Sequence, residues 1–142
     1  MREAHIQRPA RPESLPALLG FLDREAAAAG LDDDLAFSLR LAAEEACTNV
    51  IRHGYAGRSP GPLALAFYAD ENAATVVLSD EAPAFDPADA PPPDLDAPLE
   101  ERPVGGLGWH LVRQLVDEVR HEAVPGGGNR LTLVKRRPTH TQ

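Results

Sequence analysis

The spacing of apolar positions changes several times along the chain, and each change predicts an element. Residues 2–7 (REAHIQ) alternate weakly, as a short edge strand does, and the prolines at 9 and 12 break the pattern. Within 14–29, Leu15, Leu18, Leu19, Leu22 and Ala26 recur every three or four residues, which predicts a helix with Gly30 as its C-cap. Asp32, Asp33 and Asp34 supply an N-cap and favourable charge for a second helix over 33–53. Its expected buried stripe is Leu35, Leu39, Ala42, Ala46 and Val50, and Gly54 with the following AGRSPGP ends it.

Strict alternation then takes over. Leu63, Leu65 and Phe67 interleave with Ala64, Ala66 and Tyr68, the pattern of a half-buried strand. Asp70, Glu71, Asn72 and Ala73 form a turn into a second strand over 75–79, and Asp80 stands where that strand ends. Residues 81–104 crowd prolines and acids, including Pro91-Pro92-Pro93; so long a loop in a compact domain is functional or disordered. Gly105, Gly106 and Gly108 lead into a third helix, marked by Leu107, Leu111, Leu115 and Val119. A hairpin closes the pattern, with strands over 119–124 and 130–136 around the turn PGGGN. This order predicts an α+β two-layer sandwich, a mixed, mostly antiparallel sheet with helices on one face.

With 142 residues and no internal repeat, one domain accounts for residues 1–142. A net charge of −8 excludes a nucleic-acid groove, which needs clustered cations to displace counterions from phosphate. The single Cys47 lies on an apolar helix face and has no partner for an internal disulfide, which suits a reducing compartment. No leader pattern begins at Met1 and no uncharged run approaches a membrane span, so a cytoplasmic protein is expected.

Three local patterns carry candidate chemistry. In AEEACTNVIRHGY, Glu45 and Asn49 are four residues apart and so share one helical face. A carboxylate there can take a proton from a hydroxyl, and a neutral amide oxygen can ligate Mg2+; the plain alternative is a solvated face. Asp80 at a strand end can accept from an exocyclic amine such as that of adenine, or simply cap its own turn. In VGGLGWHLVRQLVDEV, glycines at a helix start let backbone N–H groups approach phosphate. No Gly-Lys-Ser/Thr follows, so this is not a P-loop, and the preceding Pro-rich loop argues against a dinucleotide fingerprint.

Taken in order, EEACTNVIRHGY, LSDEAPAFDP, RPVGGLGWHLVRQLVDEV and NRLTLVKR resemble the histidine-kinase-like ATPases, and within them the bacterial anti-sigma-factor serine kinases. The resemblance runs from about residue 10 to 137, and DLDAPLEERPVGGLG resembles that subgroup's short lid, here about 87–108. It implies ATP and Mg2+ as cofactors, with Glu45 as general base and Asn49 holding the Mg2+ that bridges the phosphates. Asp80 would bind the adenine amine through a water shared with Thr132. Gly105, Gly106, Leu107 and Gly108 would shape the lid hinge and cradle phosphate, and Arg102 would reach the terminal phosphate. His53 extends the Glu45 face but is read as structural, and Glu44 points roughly 100° away. Three departures stand out. Ala82 occupies a nucleotide-binding position where the family has glycine, so that a Cβ intrudes. The next family position is also altered, with Pro83 before Ala84-Phe85-Asp86-Pro87, and Trp109 replaces a small aliphatic.

The implied function is an ATP-dependent protein serine kinase acting as an anti-sigma regulatory factor and phosphorylating an anti-anti-sigma (STAS-type) partner. The alternative is a nucleotide-gated module that sequesters a sigma factor with little phosphotransfer. A third reading is a scaffold that has lost the nucleotide. The resemblance also implies a homodimer, and neither nucleic acid nor membrane is an expected partner.

Overall fold

The computed structural model describes residues 1–84 and 106–138. Strand β1 (Arg2–Pro9) leads through a 3-10 turn (Pro12–Ser14) into helix α1 (Leu15–Ala28) and then helix α2 (Asp33–Asn49). A wider π-turn (Val50–Gly54) ends α2; β2 (Pro62–Ala69) and β3 (Ala73–Asp80) follow. Helix α3 (Gly106–Leu115) precedes β4 (Glu118–Ala123) and β5 (Asn129–Arg136). The strand order is β1-β2-β3-β5-β4, and all four pairings are antiparallel. The expected α+β sandwich is therefore present, with the sheet antiparallel throughout.

Local chemistry explains the helix boundaries. Asp32 accepts from the Leu35 backbone N–H at 2.7 Å, satisfying one of the donors left over at the start of α2. At the end of α1, Leu31 N–H donates to Ala26 and Gly30 N–H to Ala27, with Gly30 at φ 71°. That pair of bonds is a Schellman stop, which needs a left-handed residue where glycine sits. The helical periodicity expected to 53 continues in modified form: beyond Asn49 the backbone widens into the π-turn.

Alternation divides each strand between two faces. Leu63, Leu65 and Phe67 of β2, Ala74, Val76 and Leu78 of β3, and Leu131 and Leu133 of β5 are buried beneath the helices. The register stacks them in rows, Ile6–Leu65–Leu78–Leu131 and Ala4–Phe67–Val76–Leu133. Helix α1 covers β1 and β2, while α2 covers β3 and β5 and packs against α1 and α3. The buried face of α2 is Leu35, Leu39, Ala42, Ala43, Ala46 and Cys47. Among the described side chains of α3 Val112 is buried, as is Val116 just past the helix end, and Leu115 and Val119 pack against the same core. Val119 belongs to β4, so the helical period ends before it.

Two ties close the end of the sheet that bears Asp80. Tyr55 Oη donates to the Pro62 carbonyl at 2.7 Å and accepts from Glu81 N–H at 2.8 Å, clamping the π-turn to β2 and the end of β3. The PGGGN turn of the β4–β5 hairpin lies against the same strand end: at Gly128, φ is +111°, and an added Cβ would stand 2.3 Å from the Asp80 carbonyl oxygen. No helix among the described residues is long and apolar enough to cross a membrane.

Gly128→Ala meets both a disallowed backbone conformation and a clash with main chain. It is expected to cost about 2–4 kcal/mol, read as a lowered urea midpoint, whereas Gly126→Ala, which meets no neighbouring atom, loses only the backbone term. Burial, reinforced by Glu44, pushes the Cys47 thiol up from 9.0 to about 12. The folded state therefore holds this proton more tightly than the unfolded chain. The resulting stability is complete below about pH 8.5 and is lost as pH rises toward 12. Urea midpoints between pH 7 and 10 should fall less steeply for Cys47→Ala than for the parent protein, and the native thiol should resist Ellman's reagent until the chain unfolds.

Candidate functional site

Helix α2 carries polar side chains on two flanks, and the two differ in kind. On the α1 side, Arg40 bridges Asp23 at 3.0 Å and Glu44 at 3.5 Å, so Glu44 belongs to a surface ion network. Glu45 and Asn49 lie one turn apart on another flank, both half-buried. Neither makes a hydrogen bond or ion pair among the described residues. Their side-chain polar atoms are thus available to water or to a ligand.

Asp80 ends β3 one pleat beyond the apolar rows, on the helix-covered face. The register there reads Arg8–Leu63–Asp80–Asn129–Ala123. Asp80 Oδ1 accepts from Ala82 N–H at 2.9 Å and from Asn129 Nδ2 at 3.0 Å. The turn-capping role open in the sequence is thus real, and it occupies Oδ1. No donor among the described residues reaches Oδ2.

Ala82, singled out for its extra methyl, is 1% exposed. A Cβ added at Gly54 would stand 3.5 Å from that of Ala82, an ordinary contact, and 3.3 Å from Val50 Cγ1, so Ala82 lies beside the π-turn. His53 is exposed, and its carbonyl accepts from Ala56 N–H in the turn. The side chain that ties this turn down is Tyr55.

Thr132 requires a correction. It pairs with Val77 and alternates onto the sheet face opposite the helices, whereas Asp80 lies on the helix-covered face. A water shared by Thr132 and Asp80 does not fit that register. Asn129 is what the sheet brings to Asp80, and His121 Nε2 lies 2.9 Å from Asn129 Oδ1. Sequence reasoning read Asn129 as the last residue of a turn; its distance of 49 residues from Asp80 left no local signal.

Gly106, Leu107 and Gly108 form the first turn of α3, so two of the three glycines lie within the helix and not ahead of it. A helix start leaves its first N–H groups without intrahelical acceptors, the property a phosphate cradle requires. Arg102, Gly105 and nearly all of the expected lid lie outside the described residues.

The donor set also limits the metals that fit. No group of three or more His, Cys, Asp or Glu side chains among the described residues could hold an ion. Asn49 offers one hard, neutral oxygen. That suits Mg2+, which keeps several waters and takes its other ligands from substrate phosphates.

Comparison with known proteins identifies the family and the fold. The family described as "Histidine kinase-like ATPase domain" matches residues 8–135. The serine-protein kinase RsbW of Bacillus subtilis (strain 168) is 32% identical over 116 residues, covering 79% of this chain and 72% of the relative. RsbW of Bacillus licheniformis is 29% identical over 119 residues, covering 81% and 74%. A solved structure with the RsbU and RsbW domains of a Mycobacterium tuberculosis protein superposes with a TM-score of 0.68 at 20% identity. It covers all of this chain and 35% of that one, and it shows the shared fold. From the match over residues 8–135 and the Bacillus relatives, the chain belongs to the histidine kinase-like ATPase family, in the branch of the bacterial anti-sigma-factor serine kinases.

Proposed function

We propose that the protein is an ATP-dependent protein serine kinase. It acts as an anti-sigma regulatory factor and transfers the γ-phosphoryl group of ATP to a serine of a small anti-anti-sigma (STAS-type) protein. The observation that carries this reading is the Glu45–Asn49 pair, half-buried, one helical turn apart and without partners among the described residues. The kinase names of the Bacillus relatives support the same reading.

Glu45 accepts the proton of the attacking serine hydroxyl as its oxygen bonds to the γ-phosphorus. The bond from that phosphorus to the β,γ-bridging oxygen breaks, and ADP leaves. Asn49 holds Mg2+ through its amide oxygen; the ion, when bound, offsets charge on the transferred group. Asp80 accepts from the adenine amine. By the family resemblance, Gly105, Gly106, Leu107 and Gly108 would cradle the phosphates, Arg102 would reach the terminal one, and about 87–108 would serve as the lid. Positioning and electrostatic stabilisation supply most of the rate. Residues 1–142 act as one unit, in the cytoplasm.

Glu45→Gln should reduce transfer of labelled phosphate to a serine-bearing partner by about 10²–10⁴-fold, with ATP affinity changed little. Equal loss of binding and transfer would reject the general-base role. Binding without transfer in the parent protein would favour a nucleotide-gated module that sequesters a sigma factor. Millimolar Mg-ATP should raise the melting temperature and shift Trp109 emission. If it does neither, the nucleotide reading fails and a scaffold remains.

A further inference from the structure

Asn129, at 8% exposure, is the one polar side chain in the buried class among the described residues. Its surroundings fix which end of the amide is which. Nδ2 is ringed by three acceptors: Asp80 Oδ1 at 3.0 Å, the Pro83 carbonyl at 3.1 Å and the Ala82 carbonyl at 3.4 Å. An amide oxygen in that place would face three other oxygens, so nitrogen must occupy it. Oδ1 then points to His121 Nε2 at 2.9 Å, and an acceptor there requires Nε2 to carry the hydrogen. The result is a directed chain, His121 Nε2–H to Asn129 Oδ1, and Asn129 Nδ2–H to Asp80 Oδ1.

Asp80 Oδ1 accepts a second bond, from Ala82 N–H. Two donors on one oxygen stop the carboxylate from turning about its Cβ–Cγ bond. A fixed carboxylate presents Oδ2 as a pre-oriented acceptor and can accept only from a donor. A 6-amino group on a purine supplies one; a 6-oxo group places oxygen against oxygen. Selectivity of this kind is strong when the mismatched ligand leaves a buried polar group unpaired.

We propose that His121 and Asn129 are positioning residues for base recognition, holding the Asp80 carboxylate so that the site takes 6-aminopurine nucleotides and rejects their 6-oxo counterparts. This rests on the reading of the Asp80 end as the adenine subsite. Asn129 acts on Asp80 directly, and His121 acts through Asn129. With His121 gone, the buried Oδ1 loses the His121 N–H, and the amide is held less firmly beside Asp80.

The test compares Mg-ATP with Mg-ITP, which carries oxygen in place of the 6-amino group and hydrogen on N1. Asn129→Leu should weaken ATP binding by about tenfold with ITP binding little changed, collapsing the ratio between them. His121→Phe should move the ratio the same way, and His121→Gln, which keeps an N–H donor, should restore much of it. A purely structural role would weaken both nucleotides alike. Nitrogen-15 shifts of the His121 ring in the unliganded protein should report hydrogen on Nε2.

An unchanged ATP-to-ITP ratio in both Asn129→Leu and His121→Phe would overturn the proposal, as would an Nδ1–H tautomer of His121 in the folded protein. A parent protein that binds neither nucleotide would overturn the underlying nucleotide reading. The two failures are separable, because loss of the clamp alone leaves parental ATP binding intact.

Discussion

The register of the antiparallel sheet governs both the stability of this molecule and the composition of its candidate site. Leu65–Leu78–Leu131 and Phe67–Val76–Leu133 form adjacent rows under the helices, and Leu63–Asp80–Asn129 is the next row on the same face. A slip of one residue in β5 would send Leu131 and Leu133 to the opposite face and bring Thr132 inward. The apolar cost of that slip is several buried side chains, on the order of 2 kcal/mol each. The hydrophobic core therefore enforces the pairing of Asp80 with Asn129. No separate device is needed to align them.

Helix α2 meets a comparable double demand. Ala42, Ala43, Ala46 and Cys47 form a face of small side chains, so the helix backbone lies close to β3 and β5. Large residues on that face would hold the helix off the sheet and move Glu45 and Asn49 with it. The π-turn after Asn49 then redirects the chain, and Tyr55 anchors its exit to Pro62 and Glu81. The Gly54–Ala82 contact belongs to the same junction.

What the sequence disclosed follows from the range of the interactions involved. Periodicity located the helices, the first hairpin and the closing hairpin, because those patterns repeat within a few residues. Glu45 and Asn49 were legible as a pair for the same reason, being set by i, i+4 geometry alone. On the third helix, Leu107, Leu111, Leu115 and Val119 satisfy a helical period that runs past the real helix end at Leu115. Asn129 was missed, and Thr132 chosen instead, because strand pairing decides which face a side chain takes. The first strand of the closing hairpin ends up at the sheet edge while the second inserts beside β3, an order that no local pattern specifies.

The two halves of the site consequently have different structural origins. The Glu45–Asn49 half is carried on a single helix and exists wherever α2 is formed. The Asp80–Asn129 half comes into being only when β5 pairs with β3, across a separation of 49 residues that includes the whole glycine-led helix. Loop-closure entropy opposes that pairing until the core rows supply their burial energy. Core substitutions in β5 should then disturb the Asp80 end well before they affect the α2 pair. Leu133 and Leu131 hold Asn129 in register, and His121 reaches it from the neighbouring edge strand. In such an arrangement the Asp80–Asn129 contact reports on sheet integrity, whereas Glu45 and Asn49 answer mainly to the packing of one helix.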